Sequence, residues 1–384
     1  MKQGYRIIDT DTHVGPNMET FEKYASAELL ERWSELEPYY MPVTEGHHLS
    51  VDPIKYKRLM NESATQETGS GAGQQGALSG KTTPLWSVRP QPGVNDLNVQ
   101  GRLQDMEAEG VDVHLIIPAT WSTSAVVLDW SLAKELYAAY HRYLDDYCAP
   151  DPSRLKAAIM APAIDPEWSA AQIRELADKP WVAAVTPALP PGLPLDDPTL
   201  TPIWEAMDET DLGILHHSFF YEPPYFPGYN DIWGNVVVAR SAAHPWGAMR
   251  LLGYFLLSGM CDRYPNLRIG FAECSAGWLP GWLTRLEGQA NYLRNSLPER
   301  KHTPLEYAQQ GRVFVGVEPY EGADMCKAII DVCGDGVLMF QSDYPHGQCM
   351  FPVTPDVILE WEPKIGKDAM QKLMWDNAAR YLRI

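Results

Sequence analysis

From residue 102 to the C-terminus, short apolar runs alternate regularly with longer runs of helical periodicity. The apolar runs predict strands, and the runs between them predict helices. With an opening apolar run, eight strands are predicted, at residues 5–8, 113–118, 155–162, 182–186, 212–217, 267–272, 313–317 and 337–341. Strands that alternate with helices indicate a parallel sheet, and eight such units fit a closed α/β fold, the (β/α)8 TIM barrel.

An open, doubly wound sheet is the alternative arrangement. No predicted strand leads into a G-x-G-x-x-G or G-x-x-x-x-G-K turn, so nucleotide binding is disfavoured. The predicted helices span residues 18–36, 102–110, 129–148, 166–177, 200–209, 247–264, 278–295 and 323–333, before two terminal helices.

Two stretches interrupt the alternation. Residues 37–98 contain a run rich in Gly, Ser, Ala, Gln and Thr, which predicts an inserted loop or lid after strand 1. Residues 219–233, after strand 5, form an excursion rich in proline and aromatic residues. We expect both to belong to a single barrel domain spanning residues 1–384.

The net charge of −19 restricts the partners of the protein. Nucleic acid and anionic membranes both attract positive surfaces, so we expect a small-molecule substrate or another protein as the partner instead. The six cysteines include no C-x-x-C pair, and no signal-peptide pattern opens the sequence. These features predict a cytoplasmic protein with reduced thiols and no membrane-spanning helix.

The opening stretch, residues 5–16, places polar side chains at the end of an apolar strand. Asp9, Asp11 and His13 occupy alternate positions there, and alternate strand residues share a face. Buried without partners, they would cost several kcal/mol. A divalent metal would neutralise them, although a helix cap or a hydrogen-bonded core histidine would also explain the pattern.

Other predicted strands end in similar groups. His216 and His217 end strand 5, Glu273 follows strand 6, and Asp343 and His346 follow strand 8. One acidic residue after a strand is usually a helix cap. Several strands that deliver His, Asp or Glu to the same rim favour a metal site, and these ligands suit Zn, Mn, Fe or Co.

Five motifs resemble the amidohydrolase superfamily, in the branch that contains aminocarboxymuconate semialdehyde decarboxylase. They are the opening IDTDTH, the blocks at residues 195–218 and 256–287, QSDYPHG, and the closing WDNAARYL. The resemblance covers nearly the whole chain. It implies a (β/α)8 barrel that holds one or two divalent metal ions.

The resemblance also assigns individual positions. The usual His-x-His of strand 1 is here Asp11-x-His13, the strand 5 ligand falls on His217 with His216 as competitor, and the strand 8 aspartate falls on Asp343. Glu273 stands where the decarboxylases carry a catalytic histidine. The predicted strand 4 contains no lysine, so a carbamylated-lysine bridge between two metals is excluded.

We predict a hydrolase that attacks a small organic substrate with metal-activated water, because a bound cation lowers the pKa of water towards 7. The predicted metal ligands are Asp11, His13, His217, Asp343 and Glu273. Asp343, Glu273, His244 and His346 are the catalytic candidates. Substrate contacts are expected from Trp246, Tyr221, Tyr225 and Arg240.

Three alternatives remain open from the sequence. The same pocket could decarboxylate or hydrate an aromatic-pathway acid. The additional carboxylates could hold an iron or manganese pair that activates dioxygen, as in amine N-hydroxylases built from two related subunits. The chain could also be an inactive partner subunit. Either a homo-oligomer or a hetero-oligomer with a related subunit is expected.

Overall fold

In the computed structural model, eight parallel strands neighbour one another in their order along the chain. They are β1 (Ile8–Val14), β2 (Val113–Pro118), β3 (Leu155–Pro162), β4 (Val182–Ala188), β5 (Gly213–His217), β6 (Ile269–Ala272), β7 (Val313–Val317) and β8 (Leu338–Phe340). The structure describes residues 1–42, 46–49, 98–118, 128–189, 192–217, 236–345 and 349–384. This arrangement confirms the predicted (β/α)8 barrel.

Hydrogen bonds between β1 and the end of β8 bring the sheet close to full closure. The backbone N–H of His13 donates to the carbonyl oxygen of Tyr344 over 2.7 Å. The Thr10 hydroxyl donates to the carbonyl oxygen of Phe340 over 2.8 Å. Residues from the two ends of the chain therefore share the carboxyl-end rim of the barrel.

Helices cover the outside of the barrel between successive strands. The longer ones are Val99–Glu109, Trp130–Cys148, Pro166–Leu176, Thr201–Thr210, Val236–Leu257, Leu279–Tyr292 and Gly322–Cys333. Shorter ones are Met18–Phe21, Ala27–Glu31, Met260–Arg263, Pro304–Tyr307, Thr354–Leu359, Glu362–Ile365, Lys367–Gln371 and Asn377–Leu382. No helix within the described ranges is long and apolar enough to cross a membrane.

The C-terminal helix fills the amino end of the barrel. Tyr381 is fully buried, and its hydroxyl donates to the carbonyl oxygen of Ile214 over 2.7 Å. Two glycines make room for the ring: a Cβ would lie 2.7 Å from it at Gly213 and 2.5 Å from it at Gly270. The opposite, carboxyl end is thus left for the polar groups.

The predicted first strand, residues 5–8, begins too early. Lys2 and Tyr5 pair with each other in a tight turn, with both backbone N···O distances at 2.9 Å. β1 therefore begins at Ile8, and the polar residues lie within the strand rather than after it.

The predicted helix over residues 18–36 is also wrong. It breaks into short pieces because Ala25 and Ser26 are extended, and the Ser26 hydroxyl caps the next helix, Ala27–Glu31. Serine competes for backbone groups in this way. The helix expected at 247–264 instead spans Val236–Leu257 and includes Pro245, so His244 lies in a helix and not in a loop.

Candidate metal centre and its cavity

Four buried side chains converge at the carboxyl end of the barrel. They are Asp11, His13, His217 and Asp343, and one ligand atom from each lies within 4.8 Å of the others. Among the described residues, this is the one group of its kind. Two imidazole nitrogens and two carboxylate oxygens suit a divalent first-row metal, and the carboxylates balance its charge. The donor set therefore fits one metal ion.

His13 lies at the centre of this group. Its Nε2 is 3.1 Å from Asp11 Oδ1 and 3.0 Å from Asp343 Oδ1. Its Nδ1 lies 3.1 Å from the carbonyl oxygen of Ile117. A carbonyl can only accept, so Nδ1 carries hydrogen and Nε2 faces the carboxylates. Burial lowers the pKa of His13, but the hydrogen bonds that its Nε2 donates to the carboxylates of Asp11 and Asp343, together with their charges, outweigh burial and raise the pKa to about 10.

His217 brings the second imidazole from β5. Its Nε2 lies 3.6 Å from Asp11 Oδ1 and 3.3 Å from Glu273 Oε2. The His13 and His217 rings meet edge to face, with centroids 4.8 Å apart. His216 instead packs edge to face against Phe271. Of the two neighbouring histidines, His217 is the one in the ligand group.

Asp9 is not in the ligand group, although alternation along β1 predicts that it shares a face with Asp11 and His13. The pairing of β1 with β2 shifts register between Asp9 and Thr12. The Asp9 carboxylate accepts hydrogen bonds from the Ser342 N–H at 3.0 Å and the Ser342 hydroxyl at 2.5 Å. Asp9 therefore anchors the segment that carries Asp343.

Backbone strain occurs at two strand ends of the site. Glu273, after β6, has φ = 50°, and Asp343, after β8, has φ = 63°. Residues other than glycine adopt this left-handed conformation at a cost of order 1–2 kcal/mol. Such strain persists where the surrounding contacts fix it, and it concentrates at functional sites.

Glu318, which follows β7, is a site residue that the sequence reasoning missed. Its Oε1 accepts a hydrogen bond from Gln341 Nε2 at 2.7 Å, and Gln341 Oε1 accepts the N–H of Glu273 at 3.3 Å. Burial raises the pKa of Glu318 well above its usual value, and the nearby carboxylates of Asp343 and Asp11 raise it further. Glu318 could have been found by the pattern that identified Glu273 and Asp343, because it too is an acidic residue directly after a predicted strand.

A cavity of about 180 Å³ lies beside the ligand group. Its lining is polar and carries two carboxyl groups and one imidazole: Ser241, His244, Pro245, Glu273, Ser275, Glu318 and Tyr320. His244 Nδ1 lies 3.0 Å from the carbonyl oxygen of Glu273, so it donates there. The predicted catalytic residues Glu273 and His244 therefore share a cavity with Glu318.

Of the other predicted residues, only Trp246 has a described side chain, and it is not among the lining residues. Trp246 is partly buried in the helix that carries His244. His346, Tyr221 and Tyr225 lie outside the described residues, as does the side chain of Arg240. Most of residues 37–98 and all of 219–233 lie outside them as well.

A nearly closed parallel barrel with two aspartates and two histidines at the carboxyl ends of its strands defines the class: a metal-dependent barrel enzyme. The chain belongs to the amidohydrolase family, whose model matches residues 96–384. This confirms the resemblance stated from the sequence motifs. No curated protein matches the chain.

Solved structures share the fold over its full length. A 5-carboxyvanillate decarboxylase from Sphingomonas paucimobilis is 21% identical, with a TM-score of 0.68, covering 99% of this chain and 100% of that one. A 5-carboxyvanillate decarboxylase from Novosphingobium aromaticivorans, solved with manganese and 4-hydroxy-3-methoxy-5-nitrobenzoic acid, is 20% identical with a TM-score of 0.68. The match covers 100% of this chain and 97% of that one. A dihydroxybenzoic acid decarboxylase from Polaromonas sp. JS666, solved with manganese and 2-nitroresorcinol, is 16% identical with a TM-score of 0.63. The match covers 99% of this chain and 97% of that one.

Proposed function

We propose that the protein is a metal-dependent decarboxylase that removes the carboxyl group of a small hydroxylated aromatic acid without an external oxidant. The observation that carries the proposal is the buried group of Asp11, His13, His217 and Asp343 beside a cavity of about 180 Å³. Several of the similar solved structures are decarboxylases of such acids. They favour this alternative over the hydrolase predicted from the sequence.

The four ligand residues would hold one divalent ion. Bound there, the ion supplies Lewis acidity towards the oxygen atoms of the substrate. His13 can present Nε2 to it because its Nδ1 is engaged by the carbonyl oxygen of Ile117. Such a partner fixes the tautomer and the orientation of a ligand histidine.

Asp343 is proposed as the proton donor. A proton from its carboxyl group forms a C–H bond at the ring carbon that bears the substrate carboxylate. The bond from that carbon to the carboxylate then breaks, its electron pair returns to the ring, and CO2 leaves. Solvent restores the proton to Asp343. Positioned acids of this kind contribute about 10²–10⁴-fold to the rate.

Residues around the cavity would orient the substrate. His244 lines the cavity directly. Glu273, 3.3 Å from His217 Nε2, is proposed as a further ligand or a general base in place of the family histidine. His346 as a catalytic group, and Trp246, Tyr221, Tyr225 and Arg240 as substrate contacts, remain proposals from the sequence.

The organisation of the chain also remains a proposal. We propose one domain over residues 1–384 in which residues 37–98 act as a lid over the substrate. We also propose a cytoplasmic location and an oligomer of identical or related subunits.

The test is a substrate assay on protein loaded with Mn²⁺. 5-Carboxyvanillate, 2,6-dihydroxybenzoate and related hydroxybenzoates are incubated with the enzyme, and CO2 release is measured together with loss of the acid. The proposal predicts equal amounts of CO2 and decarboxylated phenol. Hydrolysis of esters, amides or lactones without any CO2 release would restore the hydrolase hypothesis.

A further inference from the structure

Arg102 is a buried arginine directly behind β1, outside the ligand group. It belongs to the helix Val99–Glu109, and only 1% of it is exposed. Its Nη2 donates to the carbonyl oxygen of His13, and its Nη1 lies 3.3 Å from the hydroxyl of Thr12. The guanidinium therefore holds the backbone of β1 where that strand carries a metal ligand.

The same guanidinium contacts the next strand. Its Nη1 lies 3.2 Å from His114 Nδ1 on β2. Burial lowers the pKa of His114 well below its usual value, and the charge of Arg102 lowers it further, so the neutral ring accepts this hydrogen bond. The Nε of Arg102 donates to the hydroxyl of Tyr147 over 2.9 Å.

Arg102 also reaches the segment that closes the barrel. Its guanidinium carbon lies 4.9 Å from the centroid of the Tyr344 ring, and Tyr344 directly follows Asp343. The Tyr344 carbonyl oxygen accepts the N–H of His13 over 2.7 Å. The Tyr344 hydroxyl donates to Asp105 Oδ2 over 2.7 Å. Arg102 thus touches residues on both sides of the β1–β8 seam.

We infer that Arg102 is a positioning residue that sets His13 and Asp343 at the spacing a divalent ion requires. These two ligands come from opposite ends of the chain, and their relative position depends on the seam between β1 and β8. A planar guanidinium with five donors can bind a carbonyl, a hydroxyl and an imidazole while it stacks on a ring, which a lysine ammonium cannot do. Groups that orient metal ligands typically change metal affinity by 10–100-fold.

Arg268 provides a matched control. It is 2% exposed, its Nε donates to the carbonyl oxygen of Tyr381 over 2.6 Å, and its guanidinium carbon lies 5.9 Å from the Tyr381 ring centroid. Arg268 thus shares with Arg102 its burial, a backbone carbonyl acceptor and a nearby tyrosine ring, and it also pairs with Asp211 at 2.7 Å. Because Arg268 immediately precedes β6, it lies at the amino end of the barrel, away from the ligand group.

The experiment measures Mn²⁺ affinity by calorimetric titration of the metal-stripped, full-length protein, for wild type, Arg102→Lys and Arg268→Lys. We expect Arg102→Lys to bind Mn²⁺ about 10–100-fold more weakly. Arg268→Lys should lower the melting temperature of the metal-free protein but keep the wild-type affinity within about threefold, the ordinary scatter for a remote site. Wild-type affinity in folded Arg102→Lys would overturn the inference.

If Arg102→Lys does not fold, Tyr147→Phe decides the question. That variant removes one hydrogen bond to the guanidinium and keeps the ring, so a loss of Mn²⁺ affinity beyond threefold supports the inference and unchanged affinity overturns it.

The inference rests on the metal site of the proposed function. No Mn²⁺ binding by the wild type would refute that site, whereas wild-type binding with unchanged variants would refute the role of Arg102 alone.

Discussion

Asp343 combines three unusual properties for one residue. It is buried, it has a left-handed backbone conformation, and its carboxylate lies 3.0 Å from the Nε2 of a second ligand. A carboxylate held in this way can bind a cation and can also exchange a proton with a substrate. Both roles depend on the acid and not on the shape of the side chain.

Asp343→Asn therefore separates chemistry from packing. Asparagine has nearly the same volume but cannot donate an acidic proton, so we expect CO2 release to fall by at least about 10²-fold. The melting temperature and the circular dichroism spectrum should stay close to those of the wild type. A variant that retains most of its activity would remove Asp343 from the mechanism.

The adjacent histidines of β5 make a second comparison at this scale. His217 lies in the ligand group, whereas His216 packs against Phe271, and burial lowers the pKa of His216 to about 3. His217→Ala should therefore reduce the metal content of the purified protein far more than His216→Ala, as measured by elemental analysis. The reverse ranking would show that His216 is the ligand.

At the scale of secondary-structure elements, the ends of β6 and β8 carry the strain of the site. Glycine adopts the left-handed conformation of Glu273 without steric cost, whereas alanine, like glutamate, adopts it only at a cost. Glu273→Gly should thus be more stable than Glu273→Ala by about 1 kcal/mol, although both lose the carboxylate. Chemical denaturation of the two variants measures the difference. Equal stabilities would mean that the backbone relaxes at this position.

A buried histidine joins the helix Trp130–Cys148 to β3. The Nε2 of His141 accepts the N–H of Met160 over 3.0 Å, and burial lowers the pKa of His141 from 6.5 to about 4. Between pH 4 and pH 6.5, His141 is therefore protonated in the unfolded chain but neutral in the folded protein. The free energy of unfolding should therefore fall as the pH drops from about 6.5 to 4, by roughly 3 kcal/mol from this residue.

The pH prediction is tested with His141→Gln. Relative to the wild type, its free energy of unfolding should decline less steeply with acidification over that pH range, in urea denaturation series at several pH values. His302→Gln, at a partly exposed position, serves as the control for replacing a histidine by glutamine. Parallel curves for His141→Gln and the wild type would contradict the assignment.

Strands were the elements that the sequence predicted best. β2, β3 and β7 have the predicted bounds, because each is a buried apolar run between polar segments. Helices depend more on local competition: the extended residues Ala25 and Ser26 break one predicted helix, and Pro245 is accommodated inside another. Neither outcome is visible in the periodicity of apolar residues.

The candidate ligands were predictable because each follows or ends an apolar run on a barrel strand. Glu318 follows the same rule and was overlooked. Gln341 and Arg102 could not be found in this way, since their partners are distant in sequence: Gln341 bonds to Glu318, and Arg102 to His13. Such contacts arise only when the barrel closes.

At the scale of the whole molecule, closure creates the site. Asp9 and Ser342 are 333 positions apart and share two hydrogen bonds, which bring the β1 ligands next to Asp343. The resulting rim gathers carboxylates from several strands. A bound cation would offset their repulsion and would therefore also stabilise the fold by mass action.

The most direct test is an anomalous-difference map from crystals of the protein soaked in MnCl2. We predict one strong peak per chain, within about 2.0–2.3 Å of a ligand atom from each of Asp11, His13, His217 and Asp343. A map without a peak between these four side chains, or with the metal held elsewhere, would contradict this prediction.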